Sequence, residues 1–135
     1  MNEIDMKINL KKKELQYRLT QHSYSDKKIK FYYSEQIRLL KEEILDLESL
    51  KIYNENLNEN DIIDIHGATK YFVDYYLEDL LYYKLELYNK IKLITGKGTF
   101  TLFNIVKKFL SNEPNFKYKI YNYFFEVSLQ LNSNR

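Results

Sequence analysis

The sequence has few of the residues that supply cross-links, flexible linkers and thiolate chemistry. Its 135 residues include no cysteine, which excludes disulfides, thiolate metal sites and cysteine catalysis. Three glycines and one proline are too few for a glycine-rich or proline-rich linker. No apolar run is long enough to cross a bilayer, and the first residues lack the apolar core of a secretory signal. We therefore expect a cytoplasmic protein with no membrane partner.

Arginine is also scarce, and the charge is unevenly distributed. Only Arg18, Arg38 and Arg135 could offer a bidentate grip on phosphate or guanine,. Residues 91–135 carry seven basic and two acidic side chains, whereas residues 61–90 carry three basic and six acidic ones. The basic C-terminal segment is compatible with phosphate binding, although a solvated surface of this charge is also common. With 44% hydrophobic and 16% aromatic residues, the chain can nevertheless bury a core.

The first 58 residues are predicted to form a helical extension. Residues 3–22 read as a short polar helix, and residues 25–53 as a longer one without glycine or proline. The longer helix has apolar residues at spacings of four and three, which is typical of an amphipathic helix; they are Tyr33, Ile37, Leu40, Ile44 and Leu47. The polar run NENLNEN at 54–60 marks the main boundary. We therefore predict a helical extension at 1–58 and a second domain at 59–135.

The second domain alternates strand and helix patterns. Strands are predicted at 62–65 and 91–95, the latter buried on both faces, with helices at 69–89 and 101–110. Residues 116–121 and 124–131 alternate apolar and polar side chains, which indicates strands of a half-solvated sheet. The order β-α-β-α-β-β predicts a small α/β fold of the α+β sandwich type, preceded by α-helices.

The long helix at 69–89 carries two sets of large side chains. Regular helical spacing predicts an inward face made of Val73, Tyr76, Leu77, Leu80, Tyr83 and Leu87. The opposite face carries Tyr71, Tyr75 and Tyr82. These tyrosines either pack against the N-terminal helices or stack on unpaired bases of a nucleic acid.

Two loops carry the polar residues that could do chemistry. Asp64 and His66 are two residues apart at the end of the first strand, so their side chains should point to the same side. The second loop, Thr95-Gly96-Lys97-Gly98-Thr99, lies between a strand and a helix. A crossover helix between two parallel strands would bring both loops to one edge of the sheet, where open α/β sheets bind ligands. Glycines let the backbone approach a phosphate, and Lys97, Lys107 and Lys108 add positive charge.

The two motifs together resemble the Smr (small MutS-related) domain. That family has an apolar-Asp-apolar-His-Gly strand end before a long helix, as in 63–67 here. A His-or-Thr-Gly-x-Gly loop follows the second strand, as in 95–98. The resemblance covers residues 61–131, and the preceding helices resemble a shortened form of the extension found in eukaryotic members. Thr95 in place of histidine, Phe100, and Asn122 in place of a glycine depart from the usual pattern.

The resemblance implies a fold similar to the C-terminal domain of translation initiation factor three. It also implies binding to RNA, such as ribosomal or messenger RNA, or to DNA, in a translation or ribosome-associated setting, with the N-terminal helices contacting the ribosome or its proteins. As an endonuclease, the domain would use Asp64 and His66 for catalysis. Gly67, Thr95–Thr99, Lys107 and Lys108 would hold phosphate. A divalent cation (Mg or Mn) could assist, although two ligands are too few for a tight metal site. A non-catalytic docking module and a protein-binding adaptor are the alternatives.

Overall fold

The structure is a computed structural model, and it describes residues 2–24, 26–96, 100–122 and 124–130. The chain divides into two compact units, Met1–Lys51 and Ile52–Arg135. The predicted boundary at 58/59 and this division both leave the strands in the second unit. In the described part of the chain, no helix combines the length and the apolarity needed to span a membrane.

The first unit is an antiparallel pair of helices. Helix α1 spans Glu3–Tyr24, and helix α2 spans Lys27–Glu55, with its last turn belonging to the second unit. Ion pairs join the two helices: Lys11 Nζ lies 2.6 Å from Glu43, and Lys51 Nζ lies 2.8 Å from Asp5. The predicted apolar stripe is confirmed at its centre, where the α2 residues Ile37, Leu40 and Ile44 are buried, together with Ile8 of α1.

The second unit is a mixed α/β fold with a four-stranded sheet. The strands are β1 (Ile62–Asp64), β2 (Ile91–Ile94), β3 (Phe116–Ile120) and β4 (Phe124–Leu129), arranged in the order β1-β2-β4-β3. Strand β1 pairs parallel with β2, whereas β2–β4 and β4–β3 are antiparallel. The predicted order of strands and helices is therefore observed in this unit.

One face of this sheet forms the core. Alternate strand residues are buried there, among them Ile63, Leu93, Phe125 and Val127, in one cluster with buried side chains of the helices at 70–87 and 101–112. Strand β2 was expected to be buried on both faces, and this is wrong in part. Ile91 and Leu93 are buried, but Lys92 is only half-buried and places its Nζ 4.4 Å from the Phe124 ring centre.

The long helix after β1 contains an irregular turn, and its buried face differs in part from the predicted one. Helix α3 consists of Lys70–Phe72, a π-helical segment Val73–Leu77, and Glu78–Leu87. The predicted inward positions Tyr83 and Leu87 are wrong, since they are 36% and 56% exposed. The side chains buried after the π turn are Leu80, Leu81, Lys84 and Leu85.

Candidate functional site

The carboxyl ends of β1 and β2 lie side by side, as the parallel pairing requires. Asp64 pairs with Ile94, and the Ile65 N–H donates to the Ile94 carbonyl at 2.9 Å. The next residues of both strands therefore meet: a Cβ added to Gly96 would lie 3.1 Å from the His66 Cβ. Gly96 also has a φ of +90°, which L side chains rarely adopt. The prediction that topology joins the two loops is confirmed for the described residues 64–67, 95 and 96.

Asp64 and His66 form a hydrogen-bonded pair at this edge. His66 Nδ1 lies 2.7 Å from Asp64 Oδ1, and the same oxygen accepts the His66 backbone N–H at 3.1 Å. The hydrogen bond to Asp64 raises the pKa of His66 above its ordinary value, and the charges of Asp64 and, more weakly, Glu55 act in the same direction. The His66 side chain is 75% exposed. Because Nδ1 faces Asp64, Nε2 is the ring nitrogen that can act on a substrate.

The carboxylate is held in place through its own backbone. Strand β1 is at the edge of the sheet, and the Asp64 N–H and carbonyl bond to the side chain of Asn56. The Asn56 Oδ1 accepts the N–H at 2.8 Å, and its Nδ2 donates to the carbonyl at 3.0 Å and to the Ile52 carbonyl at 2.8 Å. Asn56 is 5% exposed. Its buried amide therefore supplies the two backbone hydrogen bonds that a neighbouring strand would otherwise make with Asp64.

A buried lysine fixes the loop between Asn56 and β1. Lys84 Nζ donates to the Asn58 carbonyl at 2.9 Å and side chain at 2.7 Å, and to the Asn60 carbonyl at 2.7 Å. The Asn60 side chain accepts the Ile62 N–H at 3.0 Å. Lys84 is fully buried, and this burial lowers its pKa, an effect that the charge of Asp61 partly offsets. The lysine thus connects α3 to the start of the strand that carries Asp64.

His66 stands at the rim of a cleft of about 750 Å³. The described part of its lining comes from the loop after β1, the end of β2 and the first turns of α4, which spans Thr101–Asn112. The apolar members are Ala68, Phe100, Leu102, Phe103 and Ile105. The N–H groups in the first turn of a helix have no partner within the helix, and the helix dipole adds positive potential there. The N-terminus of α4 can therefore accept an anionic group beside His66.

Phe100, at the N-cap of α4, has a strained backbone. Its φ is +61° and its ψ is −2°, which is the left-handed region, and the residue makes no side-chain cap hydrogen bond. A left-handed conformation costs an L residue about 1–2 kcal/mol. The ring is nevertheless 66% exposed. An aromatic side chain is therefore exposed at the surface of the cleft although its backbone is strained.

The predicted phosphate-binding residues fall into three groups. Gly67, Thr95 and Gly96 line the cleft with His66. Lys107 and Lys108 are exposed on α4 and do not line it; by helical rise they lie about 9–10 Å beyond Thr101 along the axis. The predictions for Lys97, Gly98 and Thr99 lie outside the described residues.

The donor set does not fit a resident metal ion. Within the residues that the structure describes, no three His, Asp or Glu side chains converge as metal ligands. Asp64 Oδ1 already accepts two hydrogen bonds from His66. We therefore assign no step at this site to a divalent cation.

Sequence reasoning missed the residues that support the site. The run 54–60 was interpreted only as a boundary, yet its asparagines alternate at 54, 56, 58 and 60. Period-two polar side chains directly before an edge strand were the available signal for Asn56 and Asn60. For Lys84 the sequence offers no such signal, because lysine side chains are ordinarily exposed. Phe100 was noticed only as a departure from the family pattern.

Comparisons with known proteins give no relative. No protein-family model matches the chain, and no curated protein or solved structure shows significant similarity to it. Function must therefore be inferred from the geometry of the site and from the two motifs.

Proposed function

We propose that the chain binds RNA at the edge where the loops after β1 and β2 meet, and that Asp64 and His66 cleave a phosphodiester bond there. The observation that carries this proposal is the hydrogen-bonded Asp64–His66 pair at the rim of the cleft. An imidazole with a pKa near neutrality is the side chain best suited to proton transfer at physiological pH. Its position beside the start of α4 suits a phosphate group.

Proton transfer by His66 can be written for RNA without a metal ion. Neutral Nε2 removes the proton of a ribose 2′-hydroxyl while the 2′-oxygen forms a bond to phosphorus. The bond from phosphorus to the 5′-oxygen breaks, and water supplies the proton that this leaving oxygen needs. The products are a 2′,3′-cyclic phosphate and a 5′-hydroxyl. Asp64 orients the imidazole and stabilises the imidazolium that forms.

The wider setting is part of the same proposal. Residues 59–135 would be an Smr-like domain, similar to the C-terminal domain of translation initiation factor three, in a cytoplasmic, ribosome-associated protein. The mixed sheet and the order of its elements are compatible with this proposal. Lys97, Gly98 and Thr99 would complete the phosphate site. Lys107 and Lys108 would attract the negatively charged RNA backbone without lining the cleft.

Binding without cleavage is the second candidate, and the lining of the cleft favours it. Of the described lining residues, Lys70 is the one ionisable side chain besides His66, and its Nζ lies 2.7 Å from Asp74. No second acid to protonate the leaving oxygen is therefore present among them. In this case the same edge would dock the chain on ribosomal or other RNA.

One assay separates the two candidates. The purified chain is incubated with end-labelled single-stranded RNA, structured RNA and supercoiled plasmid, with Mg²⁺ or Mn²⁺ in one arm and a chelator in the other. We expect RNA cleavage that persists with the chelator and disappears in His66→Ala. His22→Ala is the matched control, because His22 is the second of the two histidines and belongs to the helical unit.

Other outcomes of the assay are equally decisive. RNA binding without cleavage in every arm would contradict the nuclease and support the docking module. Plasmid nicking alone would make DNA the substrate, and activity that requires the metal would contradict the mechanism above. In the binding measurement, Lys107→Glu with Lys108→Glu should weaken RNA affinity and reduce its salt dependence. No RNA or DNA binding at all would favour the protein adaptor.

A further inference from the structure

The cleft beside His66 is lined by apolar and aromatic side chains more than by cations. Its described ionisable residues are His66 and Lys70, and Lys70 is paired with Asp74. The apolar lining comes from five residues, Ala68, Phe100, Leu102, Phe103 and Ile105. A volume of about 750 Å³ lies within the range of small-ligand pockets,. The apolar part of this lining suits a flat, weakly polar group, whereas the start of α4 beside His66 suits a phosphate.

Three phenylalanines connect the core to the lip of this cleft. Phe125 is fully buried in β4, and Phe103 stacks on it with ring centres 4.7 Å apart at 24°. Phe100 in turn meets Phe103 edge to face, with ring centres 6.4 Å apart at 88°. The inner ring of the cleft wall is thus fixed by the core, and the outer ring projects from it.

The outer ring is held in place at the expense of backbone strain. Phe100 has its φ at +61° and keeps its ring 66% exposed. Glycine or asparagine would satisfy this backbone conformation without strain. Folding alone therefore does not account for a phenylalanine at this position, and strained residues of this kind cluster at ligand sites.

From these observations we infer that the cleft is a nucleobase pocket, in which Phe100 stacks on an unpaired base next to the bond that His66 acts on. The inference rests on the proposed function and specifies its substrate class as single-stranded RNA. Aromatic side chains stack on bases of any sequence, but only when the base is out of a duplex. The phosphate of the same nucleotide would then lie towards His66 and the start of α4.

Fluorescence anisotropy with labelled RNA of about twelve nucleotides tests the pocket. The same sequence is used in three forms: single-stranded, annealed to its complement, and as an abasic strand that keeps the phosphates. We expect the single strand to bind the full chain most tightly. Phe100→Gly should weaken single-strand binding roughly 5- to 100-fold, as expected for loss of one stacked base, and leave the other two forms unchanged.

Tyr75→Ala is the matched control. Tyr75 is 67% exposed on α3, close to the 66% of Phe100, and does not line the cleft. Its loss should leave all three affinities unchanged. Thermal melting accompanies each variant: Phe100→Gly removes strain and should melt no lower than the unmodified chain. A weaker-binding variant that keeps its melting temperature has lost a ligand contact and not its fold.

The outcomes separate this inference from the proposed function. Equal affinity for all three forms, unaffected by Phe100→Gly, would overturn the base pocket while leaving RNA binding intact. A loss of affinity in Tyr75→Ala but not in Phe100→Gly would move base stacking to α3. Binding that depends on Phe100 but is not followed by cleavage would support the nucleobase pocket and contradict the proposed nuclease activity. Binding to none of the three forms would overturn both.

Discussion

The helical unit and the α/β unit are stabilised by different interactions. The contact between α1 and α2 combines four well-buried apolar side chains with ion pairs such as Lys11–Glu43, whose side chains are 37% and 49% exposed. Among its described residues, the α/β unit buries a cluster of fifteen apolar side chains, ten of them completely. It also contains Asn56 and Lys84, which are buried polar residues with several partners each. The α/β unit therefore depends on packed apolar side chains and buried polar contacts, whereas the helical unit depends in part on exposed ion pairs.

The largest difference between the units should appear in their cores. Leu93→Ala empties a fully buried position at the centre of the sheet and should lower the free energy of unfolding by about 3–5 kcal/mol,. Leu40→Ala makes the same change in the helical unit and should cost nearer 2 kcal/mol, because a helix pair can close around a cavity more easily. Urea denaturation followed by circular dichroism measures both. Equal losses would show that the two units are packed alike.

The role of Asn56 gives the next largest effect. Asn56→Ala leaves the outward N–H and carbonyl of Asp64 without their amide partner, and we expect a loss of about 1–3 kcal/mol. Asn54→Ala, an exposed position two residues earlier, is the matched control and should change stability by less than about 0.5 kcal/mol,. Both are measured by chemical denaturation. An Asn56→Ala variant as stable as the control would mean that water protects this edge equally well.

The ion pairs of the helical unit should contribute less. Lys11→Gln removes the pair with Glu43 and should lower stability by about 0.2–1 kcal/mol in low salt,. The difference in stability between Lys11→Gln and the unmodified chain should shrink in about 1 M salt, because exposed charges are then screened. Lys13→Gln, a change at an exposed lysine on the same helix, controls for net charge. A salt-independent loss at Lys11 would point to packing of its aliphatic stem.

The smallest free-energy effect belongs to the Asp64–His66 pair. Asp64 raises the pKa of folded His66, so the pair's contribution to stability is fully present below the unfolded pKa and is lost as pH rises through the folded pKa. Because the pair is exposed, this contribution should be below about 1 kcal/mol. NMR titration should show a lower His66 pKa in Asp64→Asn than in the unmodified chain. His22→Gln assigns the two histidine signals, and an unchanged His66 pKa would contradict the hydrogen bond.

Sequence patterns predicted the elements of the α/β unit well, because period-two and helical spacings depend on neighbouring residues alone. The meeting of the loops at His66 and Gly96 was also predictable, since a parallel crossover leaves few alternatives. The inward face of α3 was predicted only in part, since Tyr83 and Leu87 are exposed, and no sequence pattern indicated the π turn at Val73–Leu77. Tyr82 illustrates the result: its ring packs on Phe116, and its hydroxyl accepts a hydrogen bond from Asn115.

The support of the site was beyond the reach of local patterns. Asn56 acts on Asp64 across eight residues, and Lys84 acts on Asn58 across twenty-six. These groups lie far apart in the sequence, and only the folded chain shows that they hold β1 and the segment that leads into it. The strained φ of Phe100 is likewise not indicated by any local sequence pattern.

The central claim is that Asp64 and His66 work as one acid–base unit. Single-turnover cleavage of single-stranded RNA, measured between about pH 5 and about pH 9, tests it in the unmodified chain, Asp64→Asn and His66→Ala. We predict no cleavage by His66→Ala. In Asp64→Asn we predict a slower reaction whose pH profile is displaced to lower pH, because His66 loses the partner that raises its pKa. Cleavage by His66→Ala at the unmodified rate, or a profile that Asp64→Asn leaves in place, would contradict the account.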